Sequence, residues 1–161
     1  MRNDNLWIKK DTSPVCKIHT CSRLFKIFYD DSLSEDFKVK MDNFLKWVDK
    51  NYGFPLSIWI DFEDKKYYLS KNRKRTGYVF LWQENINYLK TTAKENYPYI
   101  RLACNESYYS FEDMLYFLAS AITCYYAYIL DIGNGGYIPP KEDIDEVIEE
   151  YRIYRKLTGT E

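Results

Sequence analysis

The chain has 161 residues, of which 46% are hydrophobic and 29% are charged, and this balance excludes a disordered or low-complexity protein. Its length predicts a single domain, and its net charge of -1 provides no overall field that would attract nucleic acid or an anionic membrane. The 17 tyrosines suit half-buried positions and protein interfaces, although a coding bias towards A/T-rich codons would also enrich them.

Residues 1–22 show no clear periodicity, so we expect an irregular N-terminal extension followed by one domain over 23–161. No apolar leader begins the chain, which favours a cytoplasmic, reducing compartment for its four cysteines. Cys16, His19 and Cys21 form a C-x-x-H-x-C pattern. A structural zinc site usually needs four ligands in two separated pairs, so packing or exposed thiols is the favoured interpretation and zinc the alternative.

The domain is predicted to begin with a strand over 23–29, in which apolar and basic residues alternate. Ser34, followed by two acidic residues, is typical of a helix cap. The apolar spacing that follows predicts a surface helix over 35–52, and Gly53 would end it.

Three further strands are predicted at 56–62, 66–70 and 77–82, and a last one at 99–104. The second and third of these read as a hairpin whose tip carries four positive charges, at Lys71, Arg73, Lys74 and Arg75. A basic tip can hold phosphates, which makes nucleic acid a candidate partner, but most charged hairpin ends are only solvated.

The stretch 111–131 is predicted to be a central helix that is buried on most sides, because apolar residues lie nearly all around it. Its uncharged run of 17 residues is short for a bilayer span and contains Ser, Thr and Tyr, so we expect no membrane partner. A final helix is predicted over 141–157, with an acidic first half and a basic end that complement the helix dipole.

These elements predict an α+β fold. We expect a small mixed, mostly antiparallel sheet of about five strands, with the buried helix 111–131 at its centre and the helices 35–52 and 141–157 around it.

The order of these elements resembles that of small bacterial zincin-like metallopeptidase domains over roughly residues 23–157. The most specific part is PYIRLA at 98–103 followed by LASAITCYYAYILD at 118–131, since the family's central helix looks like LAHExxHYxQW. In that family two histidines bind zinc and the glutamate between them acts as general base. The resemblance puts Ser120, Ala121 and Cys124 at these three positions, and a third ligand near Glu146 or Glu149.

All three catalytic positions are therefore replaced, and the resemblance implies a pseudo-peptidase with no catalytic residues, metal or cofactor. A nucleophile at Ser120 or Cys124 would need a nearby base, and the chain's one histidine is distant in sequence. The function that this implies is an interaction protein or inhibitor acting on another protein, with a phage or other mobile element as a candidate origin.

Three alternatives stay open. The first is a metal-dependent hydrolase that uses Cys124 with Glu146 or Glu149. The second is a nucleic-acid-binding protein that uses the basic tip 71–75. The third is an α+β domain unrelated to zincins that simply contains a buried helix.

Overall fold

The computed structural model describes residues 6–7, 25–52, 58–69, 73–81, 99–129 and 138–159. In chain order the elements are β1 (Phe25–Tyr29), α1 (Glu35–Asn51), β2 (Ile58–Glu63), β3 (Tyr68–Leu69), β4 (Arg75–Thr76), β5 (Tyr78–Leu81), β6 (Tyr99–Ala103), α2 (Phe111–Ile129) and α3 (Lys141–Thr158). The α+β class is thus confirmed, with three helices and two sheets in the described part of the chain.

The main sheet has the strand order β1, β2, β6, β5. β1 pairs with β2 and β2 with β6 in parallel, and only β5 runs antiparallel, against β6. The sheet is mixed as expected, but the described part has four strands rather than about five, and the expectation of mostly antiparallel pairing is wrong. The reason is the crossover through α1, since a helix between β1 and β2 returns the chain to the same end of the sheet and lets them pair in parallel.

The core lies between the three helices and one face of this sheet. Alternate residues of the central strands, Ile60 and Ile100 among them, are fully buried on that face, and all three helices contribute to the same hydrophobic cluster. Asp61 and Arg101, which are register partners on β2 and β6, lie on the other face and are partly exposed. The polar side of the sheet is therefore the side on which charged side chains can gather.

The predicted hairpin is built differently from the expectation. β3 pairs with β4, so the hairpin is closed by Arg75–Thr76 rather than by the strand predicted at 77–82. Gly77 separates β4 from β5, and its carbonyl oxygen accepts a hydrogen bond of 2.8 Å from the backbone N–H of Ala103. The chain thus leaves the hairpin at Gly77 and joins the main sheet, a change of partner that strand propensity does not reveal.

Serine side chains cap the first two helices, and the cap predicted at Ser34 is confirmed. The Ser34 hydroxyl accepts a hydrogen bond from the Phe37 N–H at 3.1 Å, at the start of α1. At the start of α2, Ser110 and Asp113 each accept a bond from the other's backbone N–H, at 3.1 Å in both cases. The last predicted residues of the central helix, 130–131, lie outside the described residues, as does the glycine-rich stretch 133–136.

Part of the predicted N-terminal extension belongs to the core. Trp7 is only 6% exposed, and its indole N–H donates a 2.8 Å hydrogen bond to the Thr123 hydroxyl on α2. Its ring also meets Tyr52 edge-on, with the centroids 5.0 Å apart. The pattern formed by Cys16, His19 and Cys21 lies outside the described residues.

Candidate functional site

The positions that the zincin resemblance singles out lie on α2, inside the core. Ser120 is 6% exposed and Ala121 is fully buried, while Cys124 is half-buried. The small side chains at the first two positions let α2 pack closely against its neighbours. These positions therefore contribute packing and offer no acid or base to a substrate.

Cys124 has a tyrosine as its neighbour. Its Sγ lies 3.6 Å from the hydroxyl of Tyr78 on β5. Burial raises the pKa of the Cys124 thiol, and the hydrogen bond between the thiol and Tyr78 offsets this only in part. The thiol stays protonated at neutral pH, which makes it a poor nucleophile and a poor metal ligand.

The carboxylates proposed as partners of Cys124 are on the exposed side of α3. Glu146 and Glu149 both face solvent, and Glu149 accepts a hydrogen bond from Arg152, which also bonds Glu112. Within the ranges that the structure describes, no three His, Cys, Asp or Glu side chains come together in a group that could hold a metal ion. The structure thus does not bring Cys124, Glu146 and Glu149 together as a ligand set.

The second site predicted from the sequence is the basic hairpin tip. Arg73, Lys74 and Arg75 are all exposed, whereas Lys71 lies outside the described residues. Arg73 has a φ of 58°, in the left-handed region that residues other than glycine seldom adopt. The chain reverses here, so consecutive cations are presented to solvent at the end of the hairpin.

Two tyrosine rings that sequence reasoning missed accompany these cations. Tyr67 is 36% exposed, and the Arg75 guanidinium carbon lies 4.6 Å from its ring centroid. Tyr108, from the loop after β6, is 52% exposed, with the Lys66 ammonium 5.8 Å from its centroid. The two lysines directly before Tyr67 were a sequence signal for that ring, but only the fold brings Tyr108 beside Lys66. We call the following residues the hairpin surface: Lys66, Tyr67, Arg73, Lys74, Arg75 and Tyr108.

The hairpin is anchored to the main sheet by a charged group on its polar face. Arg101 donates from Nε to both carboxylate oxygens of Glu63, at 2.9 and 3.0 Å, and again from a terminal nitrogen. Tyr68, on β3, donates its hydroxyl hydrogen to the same carboxylate. Burial, together with the Glu63 carboxylate, raises the pKa of Tyr68, so the phenol remains a neutral donor.

The base of the hairpin is also tied to the loop that follows β6. The carbonyl oxygen of Lys65 accepts a 3.1 Å hydrogen bond from the Asn105 N–H, and that of Lys66 accepts one from the Tyr109 hydroxyl. Because this loop also carries Tyr108, the ring and the hairpin are positioned together. The hairpin surface is thus oriented before any partner arrives.

The charge of the hairpin differs sharply from that of the rest of the chain. Residues 65–76 contain six Lys or Arg and no acidic residue, which leaves 17 cations against 24 acids elsewhere. Lys65 is neutralised in part by Glu63, at 3.7 Å. Lys66, Arg73 and Arg75, in contrast, form no ion pair with any residue that the structure describes. A local positive field therefore exists on an otherwise acidic protein.

A group of polar side chains at the ends of β1 and β2 has a structural explanation. Asp30 accepts hydrogen bonds from the backbone and the hydroxyl of Ser32, at 3.1 and 2.9 Å, and these bonds lower its pKa. The Ser32 hydroxyl has one hydrogen and shares it with Asp64, at 2.8 Å, and Asp64 also accepts a 2.9 Å bond from Asn105. Although ligands often bind at the carboxyl ends of parallel strands, these groups bind one another and hold the loops together.

The chain was compared with protein families, curated proteins and solved structures, and none of them matched. Of the helices that the described ranges contain, none has both the length and the apolar character needed to cross a membrane.

Proposed function

We propose that this chain is a non-catalytic binding protein that captures an anionic partner macromolecule through the hairpin surface. The observation that carries the proposal is the concentration of exposed cations and tyrosine rings on the hairpin surface. The contacts of Glu63 with Tyr68 and Arg101 fix the orientation of the hairpin. Charged surfaces of this kind speed and direct association with partners of opposite charge.

The non-catalytic part of the proposal is supported by the packing around α2. Ser120 and Ala121 are buried and carry no carboxylate or imidazole that could act as a general base, and the Cys124 thiol stays protonated. We include in the proposal that the chain is a degenerate relative of zincin-like peptidases. Its support is the order of elements, in which a strand and a helix precede further strands, the buried helix and a closing helix.

The binding role fits the inhibitor or adaptor that the sequence suggests, since such proteins act by occupying a surface rather than by chemistry. No observation among the described residues favours a metal-dependent hydrolase that uses Cys124 with Glu146 or Glu149.

Retention on immobilised heparin, a generic polyanion, tests the proposed surface. We expect the wild-type protein to be retained at low salt and to elute later than the variant Arg73→Gln/Arg75→Gln, because the variant lacks two cations of the surface. The matched control is Lys46→Gln/Lys50→Gln, which removes the same charge from exposed positions of α1. No retention of the wild type, or an equal shift in both variants, would show that the hairpin is not the binding surface.

A further inference from the structure

The hairpin surface offers two kinds of contact at once, and together they narrow the class of partner. Lys66, Arg73 and Arg75 provide positive charge that no acidic residue in the described part of the chain neutralises. Tyr67 and Tyr108 provide exposed ring surface beside those charges. A polymer with phosphates at regular intervals and planar groups between them would satisfy both kinds of contact.

Tyrosine and arginine also occur in protein interfaces, so the apolar surface around them separates the two classes of partner. Protein interfaces depend on an apolar core that is fully desolvated, and within the hairpin only Leu69 is an exposed aliphatic residue among those described. The exposed aliphatic side chains Ile153 and Leu157 lie on α3, and Val39 lies on α1. The hairpin surface therefore has separate rings among cations without an apolar core, which favours a nucleic acid over a protein.

We propose that the hairpin surface binds single-stranded nucleic acid, with phosphates at the cations and one base stacked on each of Tyr67 and Tyr108. This inference rests on the proposed function, because it names the partner class of the same surface. A single strand fits better than a duplex, since the base faces of a duplex are already stacked on one another and cannot reach the rings.

The geometry around Tyr67 gives the stacking a direction. Arg75 lies over one face of the ring, at 4.6 Å from the centroid, so an incoming base stacks on the opposite face. The Arg75 guanidinium then lies on the far side of the ring from the base, where its positive charge adds to the field that attracts the phosphates of the strand. The hydrogen bonds at Glu63, Lys65 and Lys66 hold this arrangement before binding, so little further ordering is required.

The test is fluorescence anisotropy of the full chain with labelled oligothymidylate and oligouridylate, an abasic oligomer of the same length and a DNA duplex, each over a series of salt concentrations. We expect both single strands to bind more tightly than the abasic oligomer and the duplex. Oligothymidylate and oligouridylate separate DNA from RNA as the source of the strand, and preference for either supports the inference.

Two sets of variants separate stacking from charge. Tyr67→Leu and Tyr108→Leu should each weaken binding at least about fivefold without changing the salt slope, and the corresponding Phe variants should retain affinity. Arg73→Gln/Lys74→Gln should instead flatten the slope of log K against log salt by about 1.4. Tyr154→Leu, at an exposed tyrosine of α3, is the matched aromatic control and should leave binding unchanged.

Equal affinity for the abasic oligomer, or tighter binding of the duplex, would overturn the inference. If heparin retention still depended on Arg73 and Arg75 in that case, the proposed binding surface would stand and only its partner class would be wrong. If heparin retention failed as well, both would fall. Circular dichroism of each variant shows whether the fold is intact, and the comparison of wild-type binding to the abasic oligomer decides the stacking if a Leu variant unfolds.

Discussion

Replacing Gly77 with alanine tests the idea that a close contact with α2 holds the end of the hairpin against the sheet. A Cβ atom at Gly77 would lie 2.6–2.8 Å from three ring atoms of Phe117. Carbon atoms in contact are normally about 3.5–4.0 Å apart, so the ring or the backbone must move. Tyr109 meets the Phe117 ring edge-on at 5.0 Å and limits that movement.

The expected cost follows from two opposing effects. Overpacking a site of this kind costs about 1–3 kcal/mol of folding free energy. The φ angle of Gly77 does not lie in the left-handed region, so alanine fits the backbone and regains about 0.4–1 kcal/mol by restricting the unfolded chain. We therefore expect Gly77→Ala to be less stable by about 1–2 kcal/mol, which for a chain of this size lowers Tm by about 3–6 °C.

Thermal unfolding followed by circular dichroism measures this change, and a double-mutant cycle with Phe117→Ala identifies its cause. In the Phe117→Ala background, Gly77→Ala should be neutral or slightly stabilising, because the space that the ring occupied is open. A wild-type Tm for Gly77→Ala, or the same loss in both backgrounds, would refute the assignment of the contact.

Three further predictions concern groups buried in the core. Thr123→Val should lower the free energy of unfolding, measured in urea, by about 1–3 kcal/mol, because the buried Trp7 indole loses its hydrogen-bond acceptor. Thr123→Ser keeps an acceptor and should lower it far less. Equal stability of the wild type and both variants would contradict this prediction. Burial raises the pKa of Tyr52 and Tyr78 above that of unfolded tyrosine, so their contribution to stability is complete below about pH 10 and is lost as the pH rises further. Tm should therefore fall above about pH 10, and it should fall less steeply in Tyr78→Phe. An unchanged slope of Tm against pH in this variant would contradict the prediction. Burial also raises the pKa of the fully buried Cys104 thiol, so a thiol reagent should modify it only when the protein unfolds. Peptide mapping after treatment with the reagent measures this. Rapid modification of Cys104 in the folded protein would contradict its placement in the core.

The candidate site was only partly readable from the sequence. The exposed cations Arg73, Lys74 and Arg75 follow from composition, because a run of charges between strands has to face water. The ring of Tyr108 could not be assigned to the same surface, since 41 positions separate it from Tyr67 along the chain and only the packing of the β6 loop on the hairpin brings it near. The contact of Glu63 with Arg101 and Tyr68 could not be predicted from the sequence either, because charge patterns do not specify which carboxylate a distant arginine will bind.

The sequence by itself determined the local structure of this protein. Apolar spacing located the three helices to within a few residues, with a capping serine at the start of the first, since 3.6-residue periodicity and helix caps depend on neighbours along the chain. Which strands pair, and in which direction, was decided only by the tertiary structure. Parallel or antiparallel direction, the switch of partner at Gly77 and the burial of Trp7 depend on contacts between segments that are far apart in sequence, and these contacts are set by how the helices cover one face of the sheet. The burial of Ser120 and Ala121 was also decided by the tertiary structure. Small side chains on an apolar helix fit a cleft or a core equally well, so the sequence alone does not distinguish the two.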